Sequence, residues 1–445
     1  MSVTVVAVDF GASSIRVCRV ELGDGAPHVD VVHRVTHAPR RDTRGVLRWE
    51  WDQLTTELEH GLERALVDGP VASIGIDTWG VDYGLLGTRG ELLEPPISYR
   101  DDRTSSYRDV VERIGARRLF EICGLQPLPI NTIFQLAAHD TQPLARAAHV
   151  VMLPELVVAH LTGEIVAEPT SAGTTGLLDV TTGDWSAELC DAIALDRTKL
   201  PDILPAGTRV GTWRGVPVHL VGGHDTASAV LAGARSGEAF VSAGTWLLVG
   251  REQARPDTSV DAQAAGFSNE RGALGGTRLL RNVAGWWLVE ECRRGWGDIE
   301  LDQLLADAGA APPLDVEIDV SDERFLAPSD MARELCDAAG LAVTASRATI
   351  VRTAVDAMAV TTANLVRALP SGAEPDLDGI RVFGGGSRSS LYLDALRRRT
   401  RLPVAVGPVE ATAIGNALVQ GIALGTFADA REARATLTEQ QEVAG

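Results

Sequence analysis

Along the first 37 positions apolar residues fall into runs that read as three successive strands, "VTVVAVDF", "IRVCRVEL" and "VDVVHRVTH", joined by short turns of glycine and aspartate. After an arginine-rich loop at 40–48 the period changes. "WDQLTTELEHGLERALVDG" places Leu54, Leu58, Leu62 and Leu66 four residues apart, which predicts an amphipathic helix capped by Asp52 and stopped at Gly69-Pro70. A strand "VASIGID" follows, so the opening order is βββαβ. Helical patterning dominates from about 104 to 162, and a turn-rich segment containing "TSAGTTGLLDVTTGDW" leads to a strand, "VPVHLVGG", and a helix start in "HDTASAVLAGA".

The pattern then begins again. "GEAFVSAGTWLLVGRE" is strand, small-residue turn with a hydroxyl, strand, as at the start of the chain. An apolar helix around 346–369, strand "IRVFGGG", a helix at 388–400, strand "LPVAVG" and helix "ATAIGNALVQGIALG" complete it. Two halves that each open on a hydroxyl-tipped hairpin and continue as mixed α/β predict a duplicated domain with a cleft between the halves. The boundary is placed near residue 232, giving domains at 1–232 and 233–430 and a tail at 431–445. A length of 445 residues fits two cores better than one.

Composition narrows the ligand class. A formal charge of −19 leaves no basic stripe for nucleic acid or an anionic membrane, and no apolar run reaches membrane-spanning length. The first residues lack a charged leader, and the five cysteines are widely spaced without a CxxC pair, so the reading is a cytoplasmic protein with reduced thiols. Its histidines show no zinc-type spacing. Lys199 is the only lysine and follows no glycine loop, which excludes a Walker-type P-loop and a protein-kinase strand lysine. Any phosphate chemistry must use backbone amides, hydroxyls and arginine. Oligomeric state is open.

The hairpin tip Gly11-Ala12-Ser13-Ser14 offers such amides and hydroxyls, with Arg16 in reach and Asp9 at the strand end placed to hold the water shell of a Mg²⁺. Ser242-Ala243-Gly244-Thr245 forms the second tip, and two tips facing one ligand would clasp a triphosphate. Asp225, after two glycines in "GGHDTASAV", sits at a strand end and a helix start. A carboxylate there is a weak base, which suits a loose phosphoryl-transfer transition state that needs positioning first and proton acceptance late. In "GIDTWGVDYGLL", Asp77, Trp79, Gly80 and Asp82 combine an apolar face with acceptors, as a polyhydroxylated ligand requires. "YRDDRTSSY" reads as a solvated loop. "FGGGSRSS" fails as a dinucleotide fingerprint, because its last position is Ser389 and no βαβ unit opens the chain; a glycine-rich turn still admits a nucleoside close to backbone.

Taken in order, "VDFGASS", "GIDTWGVDYGLL", "YRDDRT", "NTIFQL", "HLTGE…TSAGTTGLLDVTTGDW", "GGHDTASAV", "SAGTW", "RNVAGWWL" and "GGGSRSS…GPVEATAIGNAL" resemble the FGGY carbohydrate kinase family from Val5 to about Leu424. Among its branches the motifs look most like the one that phosphorylates L-rhamnulose. The resemblance implies a two-domain actin-like or hexokinase-like ATPase fold (ribonuclease H-like). It also implies ATP and Mg²⁺ as cosubstrate and cofactor, and transfer of the γ-phosphate to the 1-hydroxyl of the ketose. By motif, Asp225 is then the catalytic base. His224, Thr226, Gly80 and Asn282 lie at the sugar, Ala12, Ser13, Ser14, Ile15 and Arg16 with Gly244 and Thr245 hold phosphates, and Gly385 contacts adenosine. The chain departs from the family at Ser389, where relatives often carry asparagine, at Glu290, where some carry a glutamine near the nucleotide, and at Trp286-Trp287. A kinase for L-fuculose or L-xylulose, or a nonenzymatic actin-like sugar sensor, are the alternative readings.

Overall fold

A computed structural model describes residues 2–437 except 298, 315–316, 326–327 and 371–374. The chain divides into two compact units, the described residues of the first falling in 1–232, 253–279 and 410–439 and those of the second in 233–252 and 280–409.

In the first unit the opening apolar runs produce β1 (Val3–Phe10), β2 (Ser14–Leu22) and β3 (His28–Thr36) as an antiparallel meander. Helix α1 (Trp51–Val67) buries Leu54, Leu58 and Leu62, and Gly61 lets it approach Val17 and His33 closely. Asp52 is not the cap that the sequence suggests. It lies inside the first turn, where its charge faces the positive helix end; the N-cap is Glu50, whose side chain makes no capping hydrogen bond. β4 (Ile74–Thr78) pairs in parallel with β1, and β6 (Val216–His219), antiparallel to β5 (Arg209–Trp213), pairs in parallel with β4. The sheet order is β3-β2-β1-β4-β6-β5. Helix α2 (Leu153–Thr162) and, after β6, helix α3 (Asp225–Gly233) pack this unit.

The region read as helical between 104 and 162 also contains a strand, His149–Met152, which pairs antiparallel with Tyr83–Leu86. Its four residues are too few to show a period of their own. The loop in "YRDDRTSSY" is only partly solvated. Asp101 is buried and accepts the Leu47 and Arg103 amides, while Arg103 donates to Gln135 at 2.5 Å.

The second unit repeats the hairpin-plus-parallel-strand plan. β7 (Glu238–Ala243) and β8 (Trp246–Gln253) form the hairpin; β9 (Thr277–Ala284), helix α4 (Trp287–Gly295) and the long buried helix α5 (Arg347–Ala368) follow. β10 (Gly379–Phe383) pairs in parallel with β7 and with β11 (Val404–Val406), and helix α6 (Ser390–Arg399) lies between them in sequence. Within a six-stranded sheet these five run in the order β9-β8-β7-β10-β11. Helix α7 (Ala411–Ala423) returns to the first unit and packs on β1, β2 and β4. The tail read at 431–445 starts within a short helix, Ala430–Ala435, and from 438 onward lies outside the described residues. No described helix is long and apolar enough to cross a membrane. All five cysteines are free and buried.

Candidate active site

Register places the first unit's chemistry. Asp9 stands opposite Asp77 across the parallel β1–β4 pair, and Thr78 bridges to His224 beyond the end of β6. Asp9, Asp77 and the Gly222–Asp225 loop therefore gather at the carboxyl ends of three neighbouring parallel strands, where open α/β sheets bind ligands. Burial raises both carboxyls above the ordinary range: Asp9 despite the Arg16 guanidinium, and Asp77 by a wider margin with Asp9 and Asp225 adding to it.

Arg16 pairs with Asp9 and also donates to Glu410 at 2.5 Å. The tip between β1 and β2 is closed by Gly11 N–H donating to Ser14 O at 3.0 Å, and His37 clamps it through Gly11 O (2.9 Å) and Ser13 O (3.0 Å). The amides of Ala12 and Ser13 donate to no carbonyl among the described residues, which leaves them for an anion.

Asp225 is the first residue of α3. Its Oδ1 accepts the Thr226 amide at 2.5 Å and the Thr226 hydroxyl at 3.1 Å, and lies 3.5 Å from His224 Nε2. Its side chain is one-third exposed. The loop before it is held from behind. Gly223 N–H donates to Glu168 Oε2 at 3.1 Å, His224 N–H donates to Thr170 Oγ1 at 3.0 Å, and Thr78 N–H donates to Gly223 O at 2.8 Å. Behind His224, Arg278 donates to Nδ1 at 3.2 Å and ion-pairs with Glu270.

Glu168 is fully buried, and burial lifts it to about 7 against the hydrogen bonds it accepts from Thr170, Gly223 and Ser171. The native state thus holds this proton above the ordinary 4.5. Unfolding releases it, so stability falls as pH rises from 4.5 to about 7, by a few kcal/mol at order of magnitude. Glu168→Gln should remove that slope: urea midpoints of the two proteins diverge between pH 5 and pH 8, the wild type losing more. Parallel midpoints would contradict the assignment.

The loop after β4 is shaped by strain and by neighbours. Val81 has φ +70°, which a β-branched residue rarely adopts, and is pinned by Thr174 Oγ1 on its amide and by Thr132 Oγ1 and Gln135 Nε2 on its carbonyl. Gly80 is required because a Cβ there would meet Thr174 at 2.9 Å. Trp79 is not the open stacking face that the sequence suggests. It is 6% exposed, its ring lies 4.5 Å from that of Trp49, and both indoles donate to Asp82 Oδ2 at 2.9 and 2.7 Å. Asp82, fully buried, is pushed up to about 6 by that burial.

Asp77 is also out of solvent. Its Oδ2 accepts Asn416 Nδ2 at 2.6 Å, Asn416 Oδ1 accepts Gln420 Nε2 at 2.7 Å, and Gln420 donates as well to Val6 O. Asp77 Oδ1 has no hydrogen-bond partner among the described residues. Among the described residues no three His, Cys, Asp or Glu side chains are grouped to hold a metal ion. Two adjacent carboxylates with one unpartnered oxygen fit a hydrated Mg²⁺ shared with ligand phosphates, the usual mode for this ion, and do not fit an all-protein cage.

In the second unit, Gly244 and Thr245 are exposed at the tip between β7 and β8, whose carbonyls accept the amides of Gly285, Trp286 and Trp287. Trp286 packs on Gly386, next to Gly385, and edge-on to Tyr392; Trp287 donates to Phe325 O at 3.2 Å. Ser389 is the N-cap of α6, accepting Tyr392 N–H at 3.3 Å. Glu290 pairs with Arg293 at 2.9 Å, and Asn282 is exposed on β9. Nothing within 4 Å of Gly385 crowds an added Cβ.

Comparison with known proteins agrees with this layout. Residues 4–232 match the N-terminal domain, and residues 239–424 the C-terminal domain, of the FGGY family of carbohydrate kinases. The chain is 34% identical to a rhamnulokinase of Klebsiella pneumoniae (strain 342), over 96% of this chain and 91% of that protein, and 32% identical to a rhamnulokinase of Bacillus subtilis (strain 168), over 96% and 92%. Among solved structures the fold resembles a gluconate kinase from Lactobacillus acidophilus (TM-score 0.78, 16% identity, 98% of this chain and 92% of that one). It also resembles a Plasmodium falciparum glycerol kinase with ADP (TM-score 0.77, 14% identity, 98% and 92%). With both domains matched in order along a two-unit α/β chain, this protein belongs to the FGGY family of carbohydrate kinases.

Proposed function

We propose that the protein transfers the γ-phosphate of ATP to the 1-hydroxyl of L-rhamnulose, giving L-rhamnulose 1-phosphate and ADP, in the cytoplasm and as a step of L-rhamnose breakdown. The observation that carries this reading is Asp225: a partly exposed carboxylate at the first turn of α3, with Oδ1 engaged by Thr226 and Oδ2 without a hydrogen bond among the described residues. Similarity to curated rhamnulokinases over almost the whole chain supports the choice of sugar.

In this reading Asp225 Oδ2 orients the sugar hydroxyl and takes its proton as the new P–O bond forms. His224, Thr226, Gly80 and Asn282 contact the sugar, with Asp77 and Trp79 forming the buried wall below it. The tip amides and hydroxyls of Ala12, Ser13, Ser14 and Ile15, with Arg16, Gly244 and Thr245, hold phosphate oxygens by preorganised donors. Gly385 lies against the adenosine and Glu290 near the nucleotide. Asp9 and Asp77 would hold the water shell of Mg²⁺, which when bound neutralises phosphate charge.

The test is the position of the new ester. With L-rhamnulose labelled with ¹³C at C1 and Mg-ATP, the product should show phosphorus–carbon coupling at C1. An ester at another carbon, or none, contradicts the proposal.

A further inference from the structure

Nδ1 of His224 faces two groups. Arg278 NH2 lies 3.2 Å away with donor geometry, and Glu270 Oε2 lies 3.4 Å away without a hydrogen bond. Arg278 is fully buried, sits 2.8 Å from Glu270 Oε2, and donates through Nε to Arg271 O at 3.0 Å. Which nitrogen of a histidine carries the proton is set by the hydrogen bond the other one makes. A donor at Nδ1 leaves that nitrogen its lone pair and puts the ring proton on Nε2, the nitrogen 3.5 Å from Asp225 Oδ1.

We infer that Arg278 and Glu270 are positioning residues that act through His224. The buried guanidinium fixes His224 with its proton on Nε2, this N–H faces Asp225 Oδ1 at 3.5 Å as an electrostatic contact beside the Thr226 hydrogen bonds, and Oδ2 is thereby presented to the acceptor hydroxyl. Glu270 keeps Arg278 in place and balances its charge. Burial works to raise Glu270, yet the Arg278 guanidinium holds it down at about 2, so the pair stays ionic across the working range. The charged groups around the imidazole are Asp225, the next residue in the chain, Glu270 on Ser268–Arg271 and Arg278 on β9, with Asp9 on β1 and Asp77 on β4 within electrostatic reach of Asp225.

The inference rests on Asp225 being the base, and its test does not need substrate. Protein labelled with ¹⁵N in histidine is observed by long-range ¹H–¹⁵N correlation near neutral pH, with His224 assigned by its loss in His224→Gln. The expected wild-type pattern is that of a ring protonated on Nε2; Arg278→Met should convert it to the Nδ1 form, and Arg278→Lys should retain it. In kinetics Arg278→Met should lower kcat about tenfold to a hundredfold, as small misplacements of a catalytic group do, and Arg278→Lys should recover part of it with KM little changed. A wild-type ring protonated on Nδ1, or on both nitrogens, overturns the inference, as does an unchanged pattern in Arg278→Met. Should the methionine variant fail to fold with Glu270 left unpaired, the wild-type spectrum alone decides. A correct tautomer with no kinase activity would instead sink the proposed reaction.

Discussion

Asp225→Asn should lower kcat for L-rhamnulose phosphorylation by roughly 10²- to 10⁴-fold, the usual contribution of a positioned general base. Asparagine keeps the shape and can still accept the Thr226 amide and hydroxyl that hold Oδ1. It cannot accept a proton. Steady-state kinetics with calorimetric titration of the sugar separates the two effects: sugar binding should largely survive while turnover collapses, because the lost interaction belongs to the transition state. Undiminished turnover would remove Asp225 from the chemistry. Equal loss of binding and turnover would recast it as a sugar ligand only.

Gly415→Ala should cost about 3 kcal/mol or more of stability. A Cβ on Gly415 would lie 2.5 Å from the backbone carbon of Ser228 and closer still to its carbonyl oxygen. No rotamer relieves this, since both partners are fixed by helical hydrogen bonds. α7 and α3 must separate, and α3 begins with Asp225. A falling unfolding midpoint in urea should therefore be accompanied by reduced kcat. A variant as stable and as active as the wild type would show that the two helices do not touch through backbone.

Much of this fold was legible in the sequence because its signals are local. Short apolar runs between glycine and aspartate turns marked β1, β2 and β3, leucines four apart marked α1, and the glycines before His224-Asp225 marked the turn that carries the candidate base. Both hairpin tips were visible for the same reason, their turn chemistry being written in adjacent residues. Local signals also misled where a distant partner decides. Trp79 looked available for stacking, but Asp82 and Trp49 bury it and use its N–H. Asp101 looked solvated, but the Leu47 amide draws it in.

The supporting residues were not legible. Asn416 meets Asp77 across 339 positions, Glu168 meets Gly223 across 55, and Arg278 meets His224 across 54. Nothing in their own neighbourhoods announces these contacts: "IGNAL" reads as an apolar helix and "TRLLRNV" as a strand. A buried carboxylate or guanidinium in such a run is the one available hint, because a charge inside a core needs a partner. Which partner it finds is a property of the topology.

The most direct test of the account is ADP formation by the purified protein with Mg-ATP across L-rhamnulose, L-fuculose, L-xylulose, D-xylulose and glycerol, compared as kcat/KM. The account predicts a clear preference for L-rhamnulose, tenfold or more over the other ketoses, a margin that one or two hydroxyl contacts supply. Preference for a different sugar would contradict the proposed substrate while leaving the kinase chemistry intact, and no turnover with any of the five would contradict the proposed reaction itself.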